Sequence, residues 1–346
     1  MDFTLILLCA VAALACVTSG MADESQTRLS PDEAQAWTRY LIPLPKQINL
    51  RAKVVVKPTR VTIAAPAQRD LLIQQAVQEL REIMGLAKGQ QAAAGEGFRL
   101  TLQVGGAEAA PLQPVKNRDQ AYTLFPEPDD RGLRVVALTS RGLYYAAKML
   151  SQLICARATG EKVEMPLLRV TDFPDMAERG LWGSDSFAHL RWLADCKMNV
   201  VEQIAAVWVD EQGKGHGKLK PGREPMIEEG PRYGIQPLPT VLHLNQLGGK
   251  GVFEAYPELR AQGGDEGAVC FSQPAIGRVL TDWVVELGSL PHVTDVSVWL
   301  TENLHGKGGC RCAQCQKLDR NLREARVVLE MSSLAVDRYE PTRPDQ

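Results

Sequence analysis

The chain has no excess of charge of either sign, since 39 basic and 41 acidic side chains leave a formal net charge of -2. Without a global field to gather a polyanion, nonspecific nucleic-acid binding is excluded, and there is no electrostatic hold on an anionic membrane. Several motifs are missing as well: the H-E-x-x-H zinc-protease helix, the phosphate-binding G-x-x-x-x-G-K-[ST], a G-x-G-x-x-G after a strand and a G-x-S-x-G elbow. Zincin proteases, P-loop ATPases, dinucleotide enzymes and serine esterases lose their basis. No apolar run reaches the roughly 20 residues of a spanning helix. With 45% hydrophobic and 23% charged residues over 346 positions, what remains is an ordinary globular composition whose length favours two domains.

Residues 3–17 are apolar apart from Thr4 and lead through Thr18, Ser19 and Gly20 into polar sequence. This reads as a secretory signal peptide over residues 1–22, with the mature protein secreted or periplasmic and without stable membrane insertion after cleavage. Of the 8 cysteines, Cys9 and Cys16 would leave with it, and Cys155, Cys196, Cys270, Cys310, Cys312 and Cys315 would remain. Cys155 and Cys196 fall within helical patterns and read as buried thiols.

Residues 23–40 are a polar lead-in. Residues 54–56 and 61–64 are β-branched runs around Pro58, the pattern of two strands joined by a turn. Leu72, Ala76, Val77, Leu80 and Met84 recur at helical spacing and predict a helix over 68–84 that stops at Gly85. After an Ala/Gly-rich loop, strands are expected at 98–104, 121–125 and 133–138, and a helix at 142–155. The block 41–170 is therefore an α+β domain.

From there the rhythm becomes strand, helix, strand, helix. Strands are expected at 179–184, 199–209, 235–245 and 293–301, with helices at 187–198, 274–287 and 313–336, Ser272 as a helix cap and residues 213–222 as a flexible loop. Such alternation argues for parallel strands with right-handed crossovers. Residues 171–346 thus supply about four β-α units of an α/β barrel that needs about 250 residues, so the expected barrel domain is incomplete. An incomplete barrel would gain from pairing with a second copy, and a homo-oligomer is an expected partner state.

Carboxylates at the C-terminal ends of such strands sit where barrel enzymes place their chemistry. Glu302, after the fourth strand, is the candidate general acid, with Asp185 and Asp210 as candidate second carboxylates. Asn245 and Asn303 lie on the same rim. Trp182, Trp208 and Trp299 offer flat surfaces for sugar rings, although strand tryptophans are more often core. His243, flanked by Leu242 and Leu244, reads as a core or rim histidine more readily than as a base. The C-x-C-x-x-C run of Cys310, Cys312 and Cys315 could hold structural zinc with His305 or Cys270 as fourth ligand, or form disulfides with Cys270. Both readings stay open, either role is structural, and no cofactor is required for catalysis.

Leu41-Ile42-Pro43-Leu44-Pro45, Ala121-Tyr122-Thr123-Leu124 and Gly142-Leu143-Tyr144-Tyr145-Ala146 resemble the accessory domain of family 20 glycoside hydrolases, the β-N-acetylhexosaminidases. Val170-Thr171-Asp172-Phe173-Pro174 with Arg179-Gly180 is similar to that family's passage into its first barrel strand, and Lys197-Met198-Asn199-Val200 to its entry into the second. The resemblance implies a glycoside hydrolase-like protein acting on a carbohydrate, an N-acetylhexosaminide or a uronic-acid-containing one. It implies that Arg179 grips sugar hydroxyls and Glu302 is the acid. The family's Asp before the acid is Thr301 here, and its first-strand carboxylate falls at Ser184 beside Asp185. The cysteine run looks more like that of α-glucuronidase-like relatives. A non-catalytic carbohydrate-binding or degenerate, truncated relative is the alternative.

Overall fold

The computed structural model describes residues 26–86, 97–183, 186–244, 247–301 and 309–339. The first unit runs β1 (Gln26–Arg28), α1 (Pro31–Thr38), β2 (Gln47–Val56), β3 (Val61–Ala64), α2 (Leu71–Ile83), β4 (Phe98–Val104), β5 (Tyr122–Pro126), β6 (Gly132–Ala137), α3 (Ser140–Ile154) and β7 (Val163–Asp172). The second runs β8 (Gly180–Trp182), α4 (Leu190–Asp195), β9 (Val200–Val209), β10 (Gly215–Leu219), α5 (Pro225–Glu229), β11 (Gln236–Val241), α6 (Val252–Ala255), α7 (Ala275–Gly288), β12 (Ser297–Val298) and α8 (Arg320–Tyr339).

The first sheet has the order β1-β2-β7-β5-β6-β4-β3. Helix capping follows the residues: Asp70 accepts from the Ile73 N–H at the head of α2, and Thr139 from the Gly142 N–H at the head of α3. Alternation along β4 sends Phe98, Leu100 and Leu102 into the core and turns Arg99 outward. Helix α3 is buried on nearly every side, because the sheet covers one face, α2 packs along its flank and α4 of the second unit closes over it.

Two readings of this region change. The runs around Pro58 are not a hairpin, because β2 pairs with β1 and β7 while β3 pairs in parallel with β4. The polar lead-in carries β1 and α1, the latter closed by a capping box between Ser30 and Glu33. Cys155 is exposed and Cys196 half-buried rather than core, because each falls at a helix end rather than inside the helix.

In the second sheet β8, β9, β11 and β12 are parallel neighbours, and β10 folds back antiparallel on β9. The expected strand-helix alternation is present, and among the described residues the sheet is open rather than closed. The Gly/Lys stretch expected as a flexible loop contains strand β10. Its glycines are there because α7 packs directly on it: a Cβ at Gly215 would sit 2.8 Å from the Asp282 Cβ, and one at Gly217 2.7 Å from the Leu287 Cγ. Ser272 does not cap α7, whose N-cap is Pro274; its hydroxyl lies 2.9 Å from the Cys315 Sγ instead.

The units are joined through buried polar groups. Lys197 Nζ donates to the Tyr122 hydroxyl at 2.6 Å and to Asp172 Oδ2 at 3.0 Å, and the Tyr122 hydroxyl donates to the same carboxylate at 2.7 Å. Burial pushes the Lys197 ammonium below its ordinary value, against the pull of Asp172. Lys148 on α3 bridges Glu79 on α2 and Asp195 at the end of α4.

Candidate functional site

Period-two alternation along β9 divides its side chains. Ala205, Val207 and Val209 enter the core shared with α7, while Glu202 and Trp208 lie half-buried on the opposite face. On that opposite face the side chains at the carboxyl ends of three parallel strands converge. Trp182 ends β8, His243 follows β11 and Trp299 follows β12. The rings of Trp182 and Trp299 are 5.3 Å apart, and those of His243 and Trp299 5.2 Å apart. Strands β8 and β12 are not neighbours, so the contact exists because the sheet curls and brings its first and fourth parallel strands together across a concave face.

None of the three tryptophans read from the sequence is core: Trp208 and Trp299 are half-buried, and Trp182 is 53% exposed. The indole N–H of Trp299 donates to Glu202 Oε1 at 2.7 Å, and the Thr240 hydroxyl donates to the same oxygen at 3.0 Å. Glu202 therefore sets the tilt of the Trp299 ring. Its part in the site was missed in the sequence because it falls inside a strand rather than at its end; the signal available was a charged residue in a strand that is apolar apart from Gln203. His243 is buried, with Nδ1 3.2 Å from the Leu300 carbonyl oxygen, which suits an oriented rim histidine.

Other candidates stand elsewhere. Asp210 closes the β9–β10 turn, accepting from the Gln212 and Lys214 N–H groups and facing His216 Nε2 at 2.9 Å. The His216 contact, and after it the Lys214 N–H, holds the Asp210 carboxyl below its usual value, and the same contact raises His216. His216 Nδ1 faces Glu286 of α7 at 3.1 Å, and its ring stacks on Trp208 at 5.2 Å. Trp208 and Asp210 thus serve the hairpin rather than the aromatic group around Trp299.

Arg179 precedes β8 and lies at the junction of the two units. Its guanidinium donates to the carbonyls of Met176, Ala177 and Lys197 and to Gln120 Oε1, over the ring of Tyr145. It lines a cavity of about 210 Å³ with Pro43, Tyr122, Asp172 and Lys197, not the concave face. A grip on sugar hydroxyls would require these bonds to be exchanged. Glu302, Asp185, Asn245, Asn303 and His305 lie outside the described residues. Thr301, directly before Glu302, is buried, with its N–H and hydroxyl donating to Glu324 of α8 at 2.8 and 2.6 Å.

Beyond this face, Cys270, Cys310, Cys312 and Cys315 bring their sulfur atoms within 4.8 Å of one another. The Cys315 N–H, donated to the Cys312 sulfur, lowers that thiol to about 7, and burial raises Cys270 and Cys310. No helix among the described residues is long and apolar enough to cross a membrane.

Residues 38–173 match the family model described as glycosyl hydrolase family 20, domain 2. Solved structures with the same fold include the chitobiase of Flavobacterium johnsoniae, at 16% identity and a TM-score of 0.57 over 86% of this chain and 51% of that one. The family 20 β-N-acetylhexosaminidase of Streptomyces coelicolor A3(2) aligns at 14% identity and a TM-score of 0.57, covering 85% of this chain and 65% of that one. A mutant β-hexosaminidase of Streptomyces plicatus, in complex with its product GlcNAc, aligns at 16% identity and 0.53, covering 75% and 58%. The chain thus spans between about half and two thirds of these relatives. No curated protein matches it. The likeness to family 20 glycoside hydrolases read from the accessory-domain residues is thereby shown, and it is carried by the first unit and by the fold.

Proposed function

We propose that this family 20-like chain belongs to an exported glycoside hydrolase that acts on N-acetylhexosaminides and receives the sugar on the concave face of its parallel sheet. The observation that carries the proposal is the convergence of Trp182, His243 and Trp299 at the carboxyl ends of parallel strands, with Trp299 and Glu302 in the same short segment after the last of them. Open parallel sheets and barrels bind ligands at this end, and tilted indoles give a sugar ring its apolar seat. In this reading Glu302 protonates the leaving glycosidic oxygen, Asp185 supplies the second carboxylate, and Glu202 acts as a positioning residue through Trp299. Asn245 and Asn303 would contribute hydrogen bonds to hydroxyls on the same rim. Support for the substrate class comes from the relatives, one of which holds GlcNAc. Export rests on the apolar run 3–17.

The test is turnover of a panel of aryl glycosides that includes the N-acetyl-β-glucosaminide, by the wild type and by Glu302→Gln. General-acid catalysis typically contributes 10²–10⁴-fold, so a loss of about that size, with an unchanged circular-dichroism spectrum, is expected. An unchanged rate would remove Glu302 from the role. A second reading, sugar binding without turnover, is favoured by Thr301: the position before Glu302 carries no carboxylate, and its side chain is bound to Glu324. Measurable sugar affinity by calorimetry, with no turnover of any glycoside in the panel, would select that reading.

A further inference from the structure

We propose that Cys270, Cys310, Cys312 and Cys315 form a structural tetrathiolate zinc site that fastens α8 to the segment leading into α7. The four sulfur atoms all lie within 4.8 Å of one another, with Cys270 Sγ 3.8 Å from Cys312 Sγ and 3.7 Å from Cys315 Sγ. Zn–S bonds of about 2.3 Å in a tetrahedron set the sulfurs about 3.8 Å apart. Two disulfides would need two close pairs at about 2.05 Å, with no reason for all four sulfurs to surround one point. All four cysteines are free. Convergence on a single point also leaves no room for a four-iron cluster, whose thiolates stand around a much larger body.

The surroundings fit a charged metal centre. The Gln262 N–H donates to Cys310 Sγ and the Cys315 N–H to Cys312 Sγ, each at 3.4 Å, and the Ser272 hydroxyl lies against Cys315 Sγ. Such donors orient thiolate ligands and spread their charge. Zinc with four thiolates keeps two negative charges, and a guanidinium stands beside it: Arg323 Nη1 donates to the Cys310 carbonyl at 3.2 Å, while its buried Nε has no hydrogen-bond partner. The Cys270 loop is held by backbone hydrogen bonds of its own. An antiparallel bridge joins Arg260 to Val269, the Cys270 N–H donates to the Leu259 carbonyl, and the Arg311 N–H donates to Gln262 across to the other strand of the site. Cys270 thus completes the set, and His305 is not needed as a ligand.

The site fixes the start of α8, and α8 in turn supplies Glu324, which holds Thr301. This inference stands apart from the proposed glycosidase activity, and its test does not use turnover. Full-length protein, purified without chelator, is analysed for metals by plasma mass spectrometry. It is then titrated with an organomercurial in the presence of a zinc-sensitive dye. One zinc per chain, released as four thiols react, is expected. No metal, with four fewer titratable thiols in the denatured unreduced protein, would overturn the site in favour of bridges; stoichiometric iron would overturn the choice of zinc. In Cys312→Ser the zinc content should fall from one toward zero and amide exchange along α8 should accelerate, whereas Cys155→Ser, altering an exposed thiol outside the site, should retain full zinc. Should Cys312→Ser fail to fold, the mercurial titration of the wild type decides alone.

Discussion

In the first unit α3 is buried nearly all round among a seven-stranded sheet, α2 and the second unit, whereas β8, the strand that opens the second sheet, is exposed at all three of its positions. The same chain thus builds one layer whose apolar surface is covered and another where, among the described residues, Trp182 is exposed and Glu202 and Trp299 are half-buried on one face of the sheet. An indole left 53% exposed at Trp182 does not minimise apolar exposure, and such a departure from pure burial is what binding requires. The first unit, by contrast, sends buried polar side chains to the junction: Lys148 reaches Asp195, and Asp172 and Tyr122 meet Lys197.

The contrast predicts where damage spreads. Asp172→Ala leaves the buried Lys197 ammonium without its carboxylate, so a loss of about 3–5 kcal/mol is expected. In urea unfolding followed by probes in both units, the two transitions should move together; a shift confined to the first unit would break the docking account. Trp283→Ala removes a fully buried indole that donates to the Trp208 carbonyl, at a cost of about 3–5 kcal/mol. Here amide exchange should rise mainly in β9, β10 and α7, and equal acceleration in β4–β6 would contradict separate cores. Gly217→Ala forces a methyl against Leu287 and should cost about 1–3 kcal/mol by thermal melting, and an unchanged melt would return this stretch to the status of a loose loop.

The smallest effect concerns pH. The Asp210 contact raises His216 above its ordinary 6.5, so the stability it contributes is complete below 6.5 and is lost as pH rises through the raised value. Asp210, lowered from 3.8 by the same contact, contributes above 3.8 and loses that contribution as pH falls through its lowered value. The melting difference between wild type and His216→Gln should therefore be greatest between these limits and shrink on both sides. A difference that grows above the raised His216 value would contradict the pairing.

What the sequence made legible follows the same division. Helices α2 and α3 and strands β4 to β6 were readable because their apolar periodicity is local and uninterrupted. Strand β7 was not: its place in the sheet, between β2 and β5, depends on pairing with Gln47–Val56, more than a hundred residues earlier. Strand β10 was hidden because glycine and lysine are loop residues on average, and only the approach of α7 explains them. Among candidate site residues, Trp182, His243 and Trp299 were reachable from their positions near strand ends. Arg179 was chosen by resemblance, and its hydrogen bonds in the junction could not be read from a linear motif. Glu202 needed the curl of the sheet, which brings Trp299 over it.

The most direct test of the central claim is calorimetric titration of N-acetylglucosamine into the wild type and into Trp182→Ala, a change at an exposed ring that leaves both cores intact. The account predicts measurable binding to the wild type and at least about tenfold weaker binding to the variant, the ratio that about 1.4 kcal/mol of lost ring contact produces. Equal affinity in the two proteins, or no binding to the wild type, would contradict the assignment of the concave face as the carbohydrate site.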